Sequence, residues 1–273
     1  MTRESWTSSE GMTHREVVER VLNDPEIQAG VEADLAEDPR YVELRRLYDE
    51  AAAGLLADLQ GLVPDFDELG YRMTAVSDLW ARAVFHYDSS GNVVSRRKID
   101  YRAAVPVLLE WSPKVRLFHL AEDIVRALSA NFAKKQARPV FFQLFRDVPP
   151  VEDPRYPEEN DLKQEILRTT IGTALGSFAD PSVADEMIEL ALDRSYGSAR
   201  AGIVNPGLAK TKDERVPDVL LSLLDDPTVA PQAVQGLGRI RHEPARPPIE
   251  QALDSPDENV RYQAKRALKR LTS

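Results

Sequence analysis

A short motif recurs through the latter part of the 273-residue chain and restricts its fold more than any other feature. The motif is a small residue followed by leucine near the end of a helical segment. It occurs at Ala127-Leu128, Ala174-Leu175, Gly207-Leu208, Gly236-Leu237 and Ala267-Leu268, in steps of 47, 33, 29 and 31 residues. A period of roughly 20–50 residues marks a repeat architecture, in which each unit buries its apolar face against the next.

A shorter apolar segment precedes each motif, so the repeating unit is two antiparallel helices joined by a tight turn. The shorter segments run from Val105 to Trp111, Val140 to Phe145, Met187 to Leu192, Val219 to Leu224 and Ile249 to Leu253. In the last two units, Val229, Ala233, Leu237 and Ile240 recur 31 residues later as Val260, Ala264, Leu268 and Leu271. The pattern predicts an all-α solenoid of about five stacked helix pairs over residues 101–273, with a proline-rich loop insertion at 148–160.

The repeats resemble a known family. Asp257 to Leu271 is similar to the second helix of a HEAT repeat, in the variant also seen in phycobilisome-lyase-type proteins. The stretches from Leu175 to Leu192 and from Leu208 to Leu224 resemble junctions between successive units, with Asp180 and Asp213 at the turns. The resemblance covers about residues 101–271 and implies a right-handed, armadillo-like superhelix. It implies almost nothing about function, because sites are grafted on folds.

Two further expectations come from this comparison. The resemblance gives Arg261 a structural role, bonding to a turn acid such as Asp226 or Asp257. The sequence departs from the repeat at Gly202 and Pro206, which lie inside an expected second helix. Because proline lacks an amide proton and clashes with the preceding turn, we expect that helix to be short or kinked.

The first hundred residues match the repeat poorly and form a separate region. We expect disorder over 1–12 and an N-terminal helical cap over 13–80. A capping box at Thr13–Glu16 starts its helices, and Asp38-Pro39 opens its longest periodic stretch, which Pro64 ends. Residues 81–100 contain two strand-prone runs around a turn cluster at 89–92, which predicts a small β-hairpin or loop insertion.

Motif searches yield no catalytic signature. The chain has no cysteine, which excludes disulfides and thiolate metal sites, and its 4 histidines are scattered. Phosphate-loop, nucleophile-elbow and zinc-hydrolase motifs are absent from the sequence. We therefore expect no enzymatic activity, no cofactor and no metal. No apolar run approaches the length of a membrane span, and we expect a cytoplasmic protein without a membrane partner.

Charge is unevenly distributed along the chain. The formal net charge is −10, yet residues 71–147 carry 7 acidic and 13 basic residues, a net charge of +6. This basic middle could face an anionic partner, or it could be an ordinary charged helical surface. Long nucleic acid usually needs a strong basic stripe on a basic protein, so we do not expect nucleic acid as the main ligand.

Two clusters could carry chemistry, and each has a plainer interpretation. His119, Glu122, Asp123 and Arg126 share one side of the predicted helix 115–128, where they could relay protons or form surface pairs. The second cluster combines aromatic and basic residues that could stack on single-stranded nucleic acid or tuck onto the helical body: Trp80, Phe85, His86, Tyr87, Arg96, Arg97 and Lys98. We favour the plainer interpretation of both.

These observations favour a non-enzymatic protein-binding or scaffold module that uses the curved face of the solenoid. The partner is expected to be a protein or peptide, and the sequence leaves the oligomeric state open. The candidate contact residues are Arg116, His119, Asp123, Arg126, Gln235 and Arg239. The alternatives are a lyase-type or chaperone-type repeat protein that acts on a small molecule, and a DNA-binding helical-repeat protein.

Overall fold

The computed structural model describes residue 30 and residues 37–68, 70–87 and 93–272. The predicted disorder over 1–12, most of the helical stretch predicted over 13–35, and the turn at 89–92 lie outside the described residues. The chain divides into two units. The first comprises residues 1–100 with Pro154–Tyr156, and the second comprises Tyr101–Asp153 with Pro157–Ser273. The narrower domain bounds given above stay predictions.

The described part of the first unit contains three helices and a hairpin. The helices are α1 (Pro39–Leu59), α2 (Pro64–Glu68) and α3 (Asp78–Ala81), and the strands are β1 (Ala83–Tyr87) and β2 (Val93–Lys98). Helix α1 begins as predicted, because the Asp38 side chain accepts a hydrogen bond from the Arg40 amide at 2.8 Å. It ends earlier than predicted, since Gly61 adopts a left-handed φ of 77° ahead of Pro64.

The hairpin is antiparallel, with Ala83 opposite Lys98 and Val84 opposite Arg97. Arg97, from the basic tract, donates two hydrogen bonds of 2.5 and 2.6 Å to the buried carboxylate of Asp65 in α2. The Asp100 amide donates to the same carboxylate at 2.8 Å. Arg97 therefore ties the hairpin to its own unit, which agrees with the plainer interpretation of the aromatic and basic cluster.

The second unit is a stack of five helix pairs, which confirms the all-α solenoid. The pairs are α4 (Val105–Trp111) with α5 (Phe118–Leu128), α6 (Lys134–Arg146) with α7 (Asn160–Phe178), α8 (Ala184–Leu192) with a kinked segment at 194–211 that ends in α9 (Ala209–Thr211), α10 (Val216–Ser222) with α11 (Ala230–Ile240), and α12 (Arg246–Gln251) with α13 (Glu258–Leu271). Short 3₁₀ turns flank these helices at Arg102–Ala104, Asn131–Ala133, Pro157–Glu159, Pro181–Val183, Leu223–Asp225, Glu243–Ala245 and Ala252–Asp254.

The leucines of the recurring motif form the interior of this stack. Leu128, Leu175, Leu208 and Leu237 are almost completely buried. Leu268, in the last pair, is only half-buried, and the opposite side of α13 is polar and exposed. Burying one leucine fully contributes about 1.5–3 kcal/mol, so the motif supplies much of the stabilisation.

The second member of the third pair is kinked, as Gly202 and Pro206 predicted. It begins as a 3₁₀ segment at Arg194–Arg200, passes into a wider turn at Ile203–Leu208, and leaves helical geometry at Asn205. Its backbone packs directly on α7. A methyl group on Gly176 of α7 would lie 1.9 Å from the carbonyl oxygen of Gly202. Only glycine permits so close an approach between the two backbones.

Aspartates mark the turns of the second unit. At each of five turns an aspartate carboxylate accepts a hydrogen bond from the backbone amide two residues later, which caps the segment that follows. The five are Asp180, Asp193, Asp213, Asp226 and Asp257. The turns are therefore set by local side-chain chemistry that repeats along the sequence.

Arginine residues also bond to turn aspartates, although not by the pair expected for Arg261. Arg261 donates to the carbonyl oxygens of Ser255 and Pro256, each at 2.8 Å, so the expected bond to a turn acid is wrong. The partner of Asp226 is Arg200, whose Nη2 lies 2.6 Å from the carboxylate. Arg138 makes the corresponding bond to Asp180, also at 2.6 Å.

Candidate binding surface on the second helices

The second helices of successive pairs lie side by side in the second unit. Helix α7 contacts the kinked segment through Gly176 and Gly202. The kinked segment contacts α11 through Asn205, whose amide nitrogen donates to the Gln235 side-chain oxygen at 2.5 Å. Helix α11 contacts α13 where a methyl group on Gly238 would lie 2.6 Å from Ala267. Four consecutive repeats therefore contribute to one continuous surface.

We call the polar residues along this row the second-helix surface; they are Thr173, Asn205, Lys210, Gln235 and Arg239. Thr173 and Arg239 are exposed, and the other three are half-buried. Among the described residues, the buried Asn205 Oδ1 has no hydrogen-bond partner. The surface is therefore rich in amide, hydroxyl and cationic groups.

Cations gather at the end of this surface. Lys210 Nζ donates to the Ser177 carbonyl oxygen at 2.7 Å. Burial lowers the pKa of Lys210 most, and the positive charges of Arg239 and Lys134 lower it further. Lys210 therefore lies within electrostatic reach of one cation from each neighbouring repeat.

Two of the candidate residues on and beside α5 contact the inserted loop. Arg116 Nη1 donates to the Pro150 carbonyl oxygen at 3.3 Å, and His119 Nε2 lies 3.3 Å from the buried Asp153 carboxylate. The backbone amide of Glu152 also donates to the Arg116 carbonyl oxygen at 2.8 Å. Arg116 and His119 therefore hold the inserted loop against the start of α5.

Of the two remaining residues on α5, Arg126 donates to Glu122 one turn away at 2.7 Å. This is the surface pair that the sequence favoured, and such pairs contribute a few tenths of a kcal/mol. Asp123 is half-buried on the same helix. The six candidates thus fall into two groups, one at the first helix pair and one, Gln235 and Arg239, on α11 of the fourth.

The described part of the chain brings no three histidine, aspartate or glutamate side chains together as a metal ion would require. Among the same residues, no helix is both long enough and apolar enough to cross a membrane. An open pocket of about 640 Å³ lies beside Arg239, between residues 208–217 and 239–244. Sequence reasoning missed this pocket and its residues Lys212 and Arg241, and it also missed Asn205.

Acid should weaken the second unit, because turn aspartates ionise more readily in the folded chain. Hydrogen bonds from Lys134 and Ser182, joined by Arg138, hold the pKa of Asp180 well below its ordinary value. Burial alone would raise the pKa of Asp226, but hydrogen bonds from Arg200 and Thr228 outweigh it and lower that pKa. A depressed folded pKa stabilises the fold above the unfolded value near about 4, and that contribution is lost as pH falls through the folded pKa.

We therefore expect the melting temperature to stay level from about pH 7 to 5 and to fall below about pH 4. The variant Asp180→Asn should melt below wild type at neutral pH, and the difference should shrink as pH falls. Thermal unfolding followed by circular dichroism measures both. A constant difference between the two proteins down to pH 3 would show that the Asp180 charge contributes nothing.

Comparison with known proteins agrees with the architecture. A family model described as HEAT repeats matches residues 217–273, which hold most of α10 and all of α11, α12 and α13. A search of curated proteins finds no match. The matched region contains the 31-residue recurrence, and the preceding helix pairs continue the same stack. The stacked helix pairs and the family match together support a HEAT-repeat architecture for the second unit.

Proposed function

We propose that the chain is a non-enzymatic protein-binding or scaffold module whose second-helix surface contacts its partner. The observation that carries the proposal is the side-by-side arrangement of second helices from successive repeats, which joins polar groups into one extended surface. Many modest contacts along such a surface suit a protein or peptide better than a small compact substrate. The expected cytoplasmic location is part of the same proposal.

Of the contacts predicted from the sequence, Asp123, Arg126, Gln235 and Arg239 remain proposed partner contacts. Thr173 and Lys210 join them, because they lie on the same row of second helices. Arg116 and His119 are proposed to act indirectly, by holding the inserted loop beside α5. The HEAT-repeat match supports this general role without naming a partner.

A photo-crosslinking amino acid placed in the full chain tests the proposal in living cells. We expect crosslinks to the same partner from position 173 on α7 and from position 235 on α11. Position 222 provides the matched control, because Ser222 is exposed on α10, the first helix of the fourth pair, and lies outside the second-helix surface. Mass spectrometry identifies the captured protein, and each variant is first shown to melt like wild type.

Two results would contradict the proposal. One is equal capture of the partner from position 222 and from positions 173 and 235, which would mean that the partner does not bind preferentially to the second-helix surface. The other is the absence of any protein crosslink from either surface position while the purified chain turns over or retains a small molecule.

A further inference from the structure

The pocket beside Arg239 has an unusual charge arrangement. Its apolar wall comes from Leu208, Val216, Pro217, Ile240 and Pro244. Three cations, Lys212, Arg239 and Arg241, lie on its rim and are exposed. A pocket of about 640 Å³ falls within the size range of ligand sites and has room for side chains of a bound segment.

The two acids on the rim already have partners. Asp213 accepts bonds from Arg215 at 2.8 and 2.9 Å, and Glu243 accepts one from Arg246 at 2.7 Å. By contrast, Lys212, Arg239 and Arg241 form no ion pair with any residue that the structure describes. The rim therefore offers three cations to a ligand, while Arg215 and Arg246 already neutralise its two carboxylates.

The backbone gives a second, independent observation. Lys212 and Arg241 have positive φ values of 56° and 54°, and they are the only non-glycine residues with positive φ in the described part of the chain. Both occupy the position just after a second-helix segment, where glycine is normally preferred because it has no Cβ. Two successive repeats thus place a long cationic side chain where glycine would fit better, on the same pocket.

We propose that this pocket binds an acidic segment of a protein partner, with carboxylates on Lys212, Arg239 and Arg241 and an apolar side chain against Ile240 and Val216. The proposal deepens the proposed function and rests on it. Charge complementarity selects the occupant, because the rim provides cations at several points and the wall between them is apolar. Non-glycine residues that are held in the left-handed conformation are also characteristic of functional sites.

Fluorescence anisotropy with the full chain tests the proposal. The probe is a fluorescein-labelled short peptide of alternating glutamate and leucine, and its matched control carries glutamine in place of glutamate. We expect wild type to bind the acidic peptide at least about tenfold more tightly than the control peptide. The affinity should fall as salt is added, because exposed charges are screened.

The variant pair Lys212→Gly and Arg241→Gly, made together, separates binding from folding. We expect at least about a tenfold loss of affinity for the acidic peptide. The melting temperature should stay equal to wild type or rise, because glycine is unstrained at positive φ. Lys265→Gln provides the charge control, since Lys265 is exposed on α13 and lies outside the pocket; it should bind like wild type.

Three outcomes would overturn the inference: no binding of the acidic peptide by wild type, equal binding by the double glycine variant, or tighter binding of labelled single-stranded DNA than of the peptide at the same pocket. If the peptide fails but positions 173 and 235 still capture a protein in cells, the pocket assignment fails and the proposed function stands. If both fail, the proposed function fails as well.

Discussion

Replacing Arg200 by methionine is expected to lower the free energy of unfolding by about 3–5 kcal/mol, because it leaves a buried charge without its partner. The Arg200 guanidinium donates to the carbonyl oxygens of Ala191 and Gly197 at 2.8 and 3.0 Å, and to Asp226 at 2.6 Å. Both charged side chains are almost completely buried. The loss is a large fraction of the about 5–15 kcal/mol that stabilises a typical domain, so the variant should unfold at a clearly lower urea concentration.

Two further variants make this expectation specific. Arg194→Met removes a nearby exposed arginine, whose Nε lies 3.6 Å from the Asp226 carboxylate, and should cost less than about 1 kcal/mol. Adding Asp226→Asn to Arg200→Met should restore part of the loss, because it removes the unpaired charge while keeping the turn. Urea unfolding followed by circular dichroism gives the three values. A loss for Arg200→Met no larger than that for Arg194→Met would refute the role assigned to the buried pair.

The variant Gly176→Ala is expected to destabilise the second unit by about 3 kcal/mol, at the upper end for overpacking. The added methyl group would lie 1.9 Å from the carbonyl oxygen and 2.6 Å from the carbonyl carbon of Gly202. Both are backbone atoms and cannot rotate away, so α7 and the kinked segment must separate. The higher helix propensity of alanine, about 1 kcal/mol, offsets only part of this cost.

Gly236→Ala is the matched control in α11. There the added methyl group meets only the side-chain carbons of Leu220, the nearest at 3.0 Å, and these can move. We expect a change within about 1 kcal/mol of wild type, since the gain in helix propensity opposes a small repacking cost. If the two alanine variants proved equally stable, the close backbone contact between α7 and Gly202 would be wrong.

The helix pairs were predictable because their signal is local and repeated. Each leucine of the motif directly follows a small residue and shares helical spacing with other apolar residues of its segment, so periodicity alone indicates which side faces the interior. The kink was also predictable, since Gly202 and Pro206 act on their own segment. Side-chain pairs between different repeats were harder to predict from the sequence. Arg200 and Asp226 are 26 residues apart, and spacing does not reveal which arginine reaches which turn.

The candidate site was predictable only in part. Gln235 and Arg239 were found because they lie on a well-formed amphipathic helix. Arg116 and His119 were placed on the same kind of surface, but the inserted loop packs beside them, and nothing in the helical pattern locates that loop.

The pocket was missed for a different physical reason. It forms between residues 208–217 and 239–244, two loops from successive repeats that only the stacking of the helix pairs brings together. Glycine after a helix is a recognisable signal, whereas Lys212 and Arg241 give none at the same positions. The left-handed conformation of Lys212 and Arg241 can be recognised only from the backbone structure.

Amide hydrogen exchange of the full chain, resolved by mass spectrometry, tests most directly whether residues 101–272 form one stack of helix pairs. Peptides from α5, α7 and α11, which carry Leu128, Leu175 and Leu237, should be the slowest to exchange and should open with similar free energies, because neighbouring repeats stabilise one another. The exposed turns at 212–215 and 241–244 should exchange much faster. Rapid exchange throughout α7 and α11, or strong protection confined to the turns, would contradict the stacked arrangement.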